Sequence, residues 1–155
     1  MAKRIKIGDI VEIPVENGYA YAQYTHKNSE FGALLRVFSG VYPSRPSEPG
    51  ALMDGNLQFS IFCLLQTSVN QGLLSIVGNA SIAEPNQSFP LFRAGFVDPA
   101  TRKVSKWWLW DGVEEWPVGK LTADQKKFPF REIANPAMII YRVDNDWTPE
   151  TDIRN

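Results

Sequence analysis

The sequence has few of the side chains that catalysis and metal binding use most often. Its 155 residues include one histidine, His26, and one cysteine, Cys63. A single cysteine excludes an internal disulfide and a thiolate metal cluster, and it agrees with a reducing compartment. No nucleophile elbow, Walker loop, G-x-G-x-x-G or H-E-x-x-H motif is present. We therefore expect no catalytic, metal-binding or cofactor-binding residues, with His26 in an exposed turn and Cys63 in the core.

Long apolar runs and an excess of positive charge are also missing. No apolar run reaches the ~18 residues that a membrane helix needs, and no signal-peptide apolar region follows the basic N-terminus. Sixteen Lys and Arg residues against seventeen Asp and Glu residues give a net charge of −1, whereas nucleic-acid binding draws on a basic excess. We expect a cytoplasmic protein whose partners include neither a membrane nor a nucleic acid.

What is present is an ordinary globular composition, 44% hydrophobic and 21% charged, in a length that suits one domain over residues 1–155. Alternating or β-branched runs between turn residues predict strands. These are Ile10–Ile13 closed by Pro14, Tyr19–Tyr24, Phe31–Phe38, Leu57–Leu65, Leu73–Glu84 and Ala137–Val143. A short helix fits Phe59–Leu65 almost as well. The fold class expected is mainly β (β-rich α+β), a strongly bent antiparallel sheet or a small SH3-like barrel with at most one or two short helices.

Turn and loop signals separate these runs. Asn17-Gly18 predicts a hairpin turn, and Thr122–Gln125 has the spacing of a helical capping box. Residues 42–56 are interpreted as a surface loop, because three prolines between Tyr42 and Gly55 remove donors that a strand needs. Loops of that length in compact domains are uncommon and are candidates for function. Residues 145–155 are interpreted as a polar tail. All of its residues except Trp147 are expected to fray.

The stretch WWLWDGVEEW, residues 107–116, holds four of the five tryptophans. Asp111-Gly112 predicts a two-residue hairpin turn of type I′, in which both central residues have positive φ. The predicted pairs are Trp110 with Val113, Leu109 with Glu114, Trp108 with Glu115 and Trp107 with Trp116. Alternation then places two tryptophans on each face of the ribbon. Each buried indole contributes about 4–6 kcal/mol, from roughly 150–250 Å² at roughly 25 cal/mol per Å². We therefore predict one face in the core and the other at least half covered.

The alternative for these tryptophans is a surface that stacks on a ligand. Stacking on nucleobases needs a basic groove alongside, but the neighbouring charges here are Asp111, Glu114 and Glu115. A protein partner with basic residues fits better, because aromatic residues anchor interfaces and carboxylates steer the encounter. Glu114 and Glu115 alternate in the predicted strand, so they do not form a pair of catalytic carboxylates.

Several short motifs resemble one known family. They are Gly8-Asp9 before an apolar run and Pro14, the strand Gly18–Ala22, Pro90–Arg93, and Trp108 and Trp110 with Asp111-Gly112. With these motifs, which span about Lys6 to Trp116, the chain resembles the immunity protein 26 family of bacterial polymorphic toxin systems. The resemblance implies a small cytoplasmic protein that binds a cognate toxin and neutralises it. It implies no catalytic residues and carries over no contact positions.

The leading hypothesis is therefore an immunity protein that acts by protein–protein contact with a toxin domain. The residues that we expect to contact the partner are exposed and lie in stretches of unusual composition: Asp111, Glu114, Glu115, Arg45 and Glu48. The second hypothesis is a non-catalytic β-domain adaptor that binds a peptide or a glycan. An enzyme is the third, and a triad version of it would depend on His26.

Overall fold

A computed structural model describes residues 3–155, which form two sheets. The nine strands, in chain order, are β1 (Asp9–Val15), β2 (Gly18–Asn28), β3 (Gly32–Phe38), β4 (Leu57–Cys63), β5 (Ser75–Asn79), β6 (Phe92–Ala94), β7 (Trp107–Trp110), β8 (Glu115–Gly119) and β9 (Ile133–Ala134). The two α-helices are α1 (Leu65–Asn70) and α2 (Pro136–Asp144), and there are four 3-10 helices, Pro49–Asp54, Glu84–Asn86, Gln125–Lys127 and Pro149–Thr151. The mainly β fold with few short helices is confirmed, and neither sheet closes into a barrel.

The chain divides into two compact units. Unit 1 comprises the described residues up to Ser88 together with Glu132–Asp146, and unit 2 comprises Phe89–Arg131 together with Trp147–Asn155. Two compact units can belong to one cooperative fold or to two, so the single domain over residues 1–155 stays a prediction. No helix within residues 3–155 is long and apolar enough to cross a membrane.

Unit 1 is built on a six-stranded sheet of order β5-β1-β2-β3-β4-β9, antiparallel except for the β4–β9 pair. The register shifts at three places, where one strand has an extra residue: Val77 in β5, Thr25 in β2 and Gln58 in β4. Such irregularities bend a strand and increase its twist. We therefore expect the strands β2, β4 and β5 to bend at these residues.

The first hairpin is confirmed, with a shift of one residue in its turn. Val15 pairs with Gly18, so the turn residues are Glu16 and Asn17. Gly18 has φ +138°, and a Cβ there would lie 2.1 Å from the Tyr42 carbonyl oxygen, so only glycine fits.

The expectation that Pro14 closes β1 is wrong. β5 pairs with β1 only as far as Glu12, so beyond Glu12 no β5 partner needs a donor from Pro14.

Strand β4 settles the choice between strand and helix for Phe59–Leu65. Phe59, Ile61 and Cys63 lie on one face of β4 and Phe62 lies on the other, and all four are buried. β4 also pairs with β3 along one edge and with β9 along the other. A strand covered on both faces carries apolar residues at successive positions rather than in alternation. The strand ends at Cys63, and α1 begins at Leu65.

The strand predicted at Ala137–Val143 is wrong, because this segment is helix α2. Asn135 caps the helix by accepting a hydrogen bond from the Met138 amide, and Pro136 occupies the first turn, where its missing donor costs nothing. Ile139 and Val143, four residues apart, form the buried face. The run of consecutive apolar residues hid this helical spacing.

The proline loop, residues 42–56, contributes to the core of unit 1. Tyr42 bridges to Tyr19, and the 3-10 helix Pro49–Asp54 inserts Met53, which is buried among Ile10, Tyr21 and Phe38. The composition of this segment excludes a strand, as expected. It does not reveal the buried methionine.

Unit 2 has the three-stranded antiparallel sheet β6-β7-β8 and a core rich in aromatic residues. Arg93 is fully buried, with its guanidinium 3.9 Å from the Phe130 ring centroid, and it donates to the Pro149 carbonyl and the Asn155 side chain. Trp147 packs against the same cluster. The expectation that the tail frays is therefore wrong for residues 148–155, and the exception made for Trp147 is confirmed.

Candidate protein interface

The tryptophan hairpin has a longer turn than its sequence predicts. Trp110 pairs with Glu115 instead of Val113. The Asp111 carboxylate accepts hydrogen bonds from the amides of Val113 and Glu114, at 2.9 and 2.8 Å, which extends the turn to four residues. The remaining pairs shift accordingly and are Leu109 with Trp116, Trp108 with Pro117 and Trp107 with Gly119.

The type I′ assignment of this turn is wrong. Of its residues only Gly112 has positive φ, +101°, whereas type I′ needs two. A Cβ on Gly112 would lie 2.9 Å from the Phe89 ring, so the turn also needs glycine for space. The pairing next to the turn differs from the predicted one by two residues, and because side chains alternate with period two, the predicted faces are retained.

The prediction that one face of the tryptophan ribbon is core and the other at least half covered is confirmed for β7. It does not hold for β8, where Glu115, Trp116 and Pro117 are exposed. Trp107 and Leu109 are buried with Phe130 in the core cluster of unit 2. On the opposite face Trp110 is buried, with its ring centroid 5.4 Å from that of Phe92, while Trp108 is half-buried. Burial of the indoles thus explains most of the stretch, and the remainder of its surface is open.

The open part of unit 2 carries large apolar side chains. Phe96 is 93% exposed and Val113 is 89% exposed, and Trp116 is 37% exposed. A groove of about 230 Å³ lies beside Phe96, lined by Ala94, Gly95, Phe96, Trp108, Glu115 and Arg131. Nearly complete exposure of a phenylalanine costs hydrophobic free energy, and such a side chain beside a groove is typical of a binding surface. We call these groove residues together with Val113 the hairpin surface.

The backbone around the groove is held by a close approach at Gly95. A Cβ at this position would lie 2.4 Å from the Val104 side chain and 3.0 Å from the Lys106 carbonyl oxygen. Val97 bridges to Val104 directly afterwards. Position 95 therefore accommodates only glycine, and the next residue, Phe96, has its ring in solvent.

The charges of the hairpin turn and the groove are mostly committed to the fold. Arg131 forms an ion pair with Glu115 at 2.7 Å, and its guanidinium lies 5.4 Å from the Trp110 ring centroid. Hydrogen bonds from the Glu114 and Val113 amides lower the pKa of Asp111. Within residues 3–155, the Glu114 carboxylate has neither an ion pair nor a side-chain hydrogen bond. It is the one carboxylate of the predicted three that is free for a partner.

The other two predicted contact residues lie in unit 1. Arg45 forms two hydrogen bonds to the buried Glu12 carboxylate, at 2.7 and 3.1 Å, and Tyr21 donates a third at 2.8 Å. The bond from Arg45 holds the pKa of Glu12 below its usual value, against the opposing effect of burial. Arg45 thus attaches the proline loop to β1. Glu48 is exposed just before the 3-10 helix Pro49–Asp54.

His26 does not lie in the predicted exposed turn. It is part of β2 and half-buried, with Nε2 2.9 Å from the Gln87 carbonyl oxygen and Nδ1 2.9 Å from the Thr25 hydroxyl. A carbonyl only accepts, so Nε2 carries the proton and donates to it. Burial lowers the pKa of His26, which favours the neutral ring. The imidazole therefore links β2 to the segment around Gln87.

Cys63 is confirmed as a core residue, and burial raises the pKa of its thiol to about 12. The thiol is therefore protonated at neutral pH. Within residues 3–155, no group of three or more His, Cys, Asp or Glu side chains is placed to hold a metal ion.

Two residues of the hairpin surface were missed by sequence reasoning. For Phe96 a local signal exists, because it follows Gly95 and precedes the polar turn at Asp98, where an apolar ring has no strand to pack in. For Arg131 there is none, since its partner Glu115 is sixteen residues away along the chain. Only the tertiary structure brings that pair together.

Comparisons with known proteins find no matching family model, no matching curated protein and no matching solved structure. The likeness to the immunity protein 26 family stays a prediction.

Proposed function

We propose that this chain is an immunity protein, which binds a cognate bacterial toxin domain in the cytoplasm and neutralises it by protein–protein contact. The observation that carries the proposal is the hairpin surface, where Phe96 is almost fully exposed and lines the groove with Trp108. Val113, in the turn of the hairpin, is also almost fully exposed. Aromatic residues beside a groove are the side chains that anchor protein interfaces. The sequence resemblance to immunity proteins supplies the class of partner.

The chemistry of the hairpin surface indicates what the toxin domain presents. An apolar side chain of the toxin domain enters the groove between Phe96 and Trp108, and a basic side chain pairs with the Glu114 carboxylate in the hairpin turn. The Glu115–Arg131 ion pair borders the groove with both charges already matched, so it adds polar contacts without leaving a buried charge. Tight inhibition needs an interface of roughly 1,600 Å², so this groove is its centre and other residues complete it.

The structure gives less support to a glycan-binding adaptor. Sugar rings stack on an open indole face, but the Lys106 amine lies 5.3 Å from the centroid of the Trp108 ring. Trp107 and Trp110 are buried. A peptide ligand uses the same apolar groove as a folded partner and is distinguished from it by experiment.

The test first asks whether a large secreted toxin is encoded immediately upstream of this gene, and then uses the C-terminal domain of that toxin. Co-expression with the wild-type chain is expected to restore growth, and the two proteins are expected to co-purify. Loss of both results would contradict the proposed function. A synthetic peptide that binds as tightly as the toxin domain would favour the adaptor.

A matched pair of variants tests the hairpin surface. Phe96→Ala is expected to weaken toxin binding roughly tenfold or more, since truncation of an aromatic anchor costs about 2 kcal/mol. Tyr141→Ala, which removes a 64% exposed aromatic ring from α2 in unit 1, is the control and is expected to leave affinity unchanged. The assignment of the interface is wrong if the Phe96 variant binds as tightly as wild type, or if the Tyr141 variant loses as much affinity as the Phe96 variant.

A further inference from the structure

Unit 1 contains a buried cation that the fold does not neutralise. Arg36 lies in β3 and is 5% exposed. Its guanidinium donates to the Thr25 hydroxyl at 3.2 Å, the Ser60 hydroxyl at 3.4 Å and the Ser88 carbonyl at 2.8 Å. All three acceptors are neutral, and no carboxylate of residues 3–155 forms an ion pair with Arg36. A buried charge without a counterion is costly, so the arrangement is suited to an incoming anion.

Arg36 also retains hydrogen-bonding capacity. A guanidinium has five N–H donors, and three are used by the neutral oxygens. Burial lowers the pKa of Arg36 to about 10, which leaves the side chain charged at neutral pH. The two remaining donors match the two oxygens of a carboxylate.

A second buried polar group lies on the same cavity. Asn86, at the end of the 3-10 helix Glu84–Asn86, is 6% exposed, and its side-chain amide makes no hydrogen bond within residues 3–155. The enclosed unpaired side-chain atoms of residues 3–155 do not include those of Asn86, so its amide is open to the cavity. Arg36 and Asn86 both line a cavity of about 560 Å³, whose other walls include Leu57 and Pro85. A ligand group that accepts hydrogen bonds from the Arg36 guanidinium and also bonds to the Asn86 amide gives a partner to each of these two side chains.

The rim of this cavity has the opposite charge. Asp54 and Glu84 also line it, both are exposed, and neither forms an ion pair within the described part of the chain. Two carboxylates at the rim disfavour a dianion such as phosphate, while they attract an ammonium group. One buried positive group and two negative groups at the rim therefore select a ligand that carries both charges.

We propose that the cavity of unit 1 binds a small zwitterion of the amino-acid class, with its carboxylate on Arg36 and Asn86 and its ammonium group toward Asp54 and Glu84. The cavity volume is within the range of small-molecule sites and leaves room for a side chain. All the residues of this site belong to unit 1. The proposal is independent of the proposed function, which uses the hairpin surface of unit 2.

The experiment is a titration of the full-length ¹⁵N-labelled protein with each of the common amino acids, and with acetate, methylamine and inorganic phosphate as comparison probes. At least one amino acid is expected to shift amide resonances around the cavity, with acetate and methylamine binding more weakly. If no amino acid at a concentration of about 10 mM shifts these resonances, any dissociation constant is above that concentration and the proposal is wrong. It is also wrong if phosphate binds at least as tightly as every amino acid.

Variants distinguish this site from a nonspecific effect. Asn86→Leu is expected to weaken binding of the amino acid roughly tenfold. Replacing both rim carboxylates, Asp54→Asn with Glu84→Gln, is expected to weaken amino-acid binding and to leave acetate binding unchanged or stronger. Glu48→Gln removes an exposed carboxylate that does not line the cavity and is the control. Equal affinity of the control and all cavity variants would overturn the proposal, and these variants remain informative if Arg36 substitutions fail to fold.

Discussion

The two units each bury an arginine on a β-strand, and they treat its charge differently. In unit 2, Arg93 on β6 lies against the Phe130 and Trp107 rings, at 3.9 and 5.0 Å, and donates to two oxygens of the C-terminal segment. In unit 1, Arg36 on β3 bonds to three neutral oxygens and faces a cavity. The first arrangement uses the cation to hold the fold together. The second leaves part of its bonding capacity for something else.

The difference shows how stability and binding make separate demands on the same residue type. Aromatic faces and carbonyls satisfy a guanidinium permanently, so the cation contributes to stability. A buried cation whose hydrogen-bonding capacity is satisfied only by a ligand lowers the stability of the ligand-free fold. The five tryptophans all lie in unit 2 and the five tyrosines all lie in unit 1, so fluorescence and tyrosine absorbance report on the two units separately.

The largest expected effect is that of Arg93→Met. The variant loses two ring contacts and the hydrogen bonds that hold residues 147–155, and we expect a loss of about 3 kcal/mol in the free energy of unfolding. Urea unfolding followed by tryptophan fluorescence measures it. The single domain expected for residues 1–155 predicts that the tyrosine signal shifts by the same amount. A shift confined to the tryptophan signal would show that the units unfold separately.

A backbone substitution at the tryptophan hairpin is expected to have the next largest effect. Gly112→Ala places a Cβ 2.9 Å from the Phe89 ring at a φ of +101°, which we expect to cost about 2 kcal/mol. The measurement is again the tryptophan-detected unfolding midpoint. Gly119→Ala in the same unit is the matched control, because Gly119 also has positive φ but nothing lies within 4 Å of its Cβ position. An equal loss in both variants would mean that φ alone, and not the Phe89 contact, sets the requirement.

The ion pair that holds the proline loop predicts a dependence on acid. The pKa of Glu12 is lowered in the folded protein, chiefly by its bond to Arg45, so its contribution is complete above the ordinary value of 4.5. It is lost as the pH falls through the lowered pKa of the folded state. Since Arg45 is largely exposed, we expect the effect to be about 1 kcal/mol. Urea unfolding by circular dichroism should show a steeper acid loss in wild type than in Arg45→Gln, with Glu48→Gln unchanged from wild type.

The smallest expected effect on stability is that of Arg36→Met, and it sharpens the comparison with Arg93 most directly. Arg36→Met removes a buried charge that has no counterion, and this gain offsets the loss of its three hydrogen bonds to neutral oxygens. We expect a change below about 1 kcal/mol, measured by tyrosine absorbance during urea unfolding. A loss as large as that of Arg93→Met would show that the three neutral oxygens alone make Arg36 a structural residue.

Local patterns predicted most of the strands, because alternation and turn residues act over a few positions. The hairpin between β1 and β2 and the capping box at Thr122 and Gln125 are examples, the latter with both reciprocal hydrogen bonds present. Helix α2 was missed although Asn135 and Pro136 are ordinary start signals, because a run of consecutive apolar residues fits a buried strand as well. What distinguishes the two is the neighbour that covers the segment, and that is not a local property.

The candidate site was predictable only in part for the same reason. The sequence places Asp111, Glu114 and Glu115 around one turn, and the structure agrees. The sequence does not show that the Asp111 carboxylate accepts hydrogen bonds from backbone amides, or that Glu115 forms an ion pair with Arg131. Those partners decide which carboxylate is left for another molecule.

By itself the amino-acid order determined a β-rich chain with a buried tryptophan ribbon, since side-chain alternation and hydrophobic burial follow from residue type and spacing. Only the tertiary structure decided which charges are satisfied. Arg36 and Arg93 look alike in sequence, each within an apolar strand, and they differ because their neighbours come from distant segments. A charge interacts with whatever lies nearby in space, and chain position does not determine that.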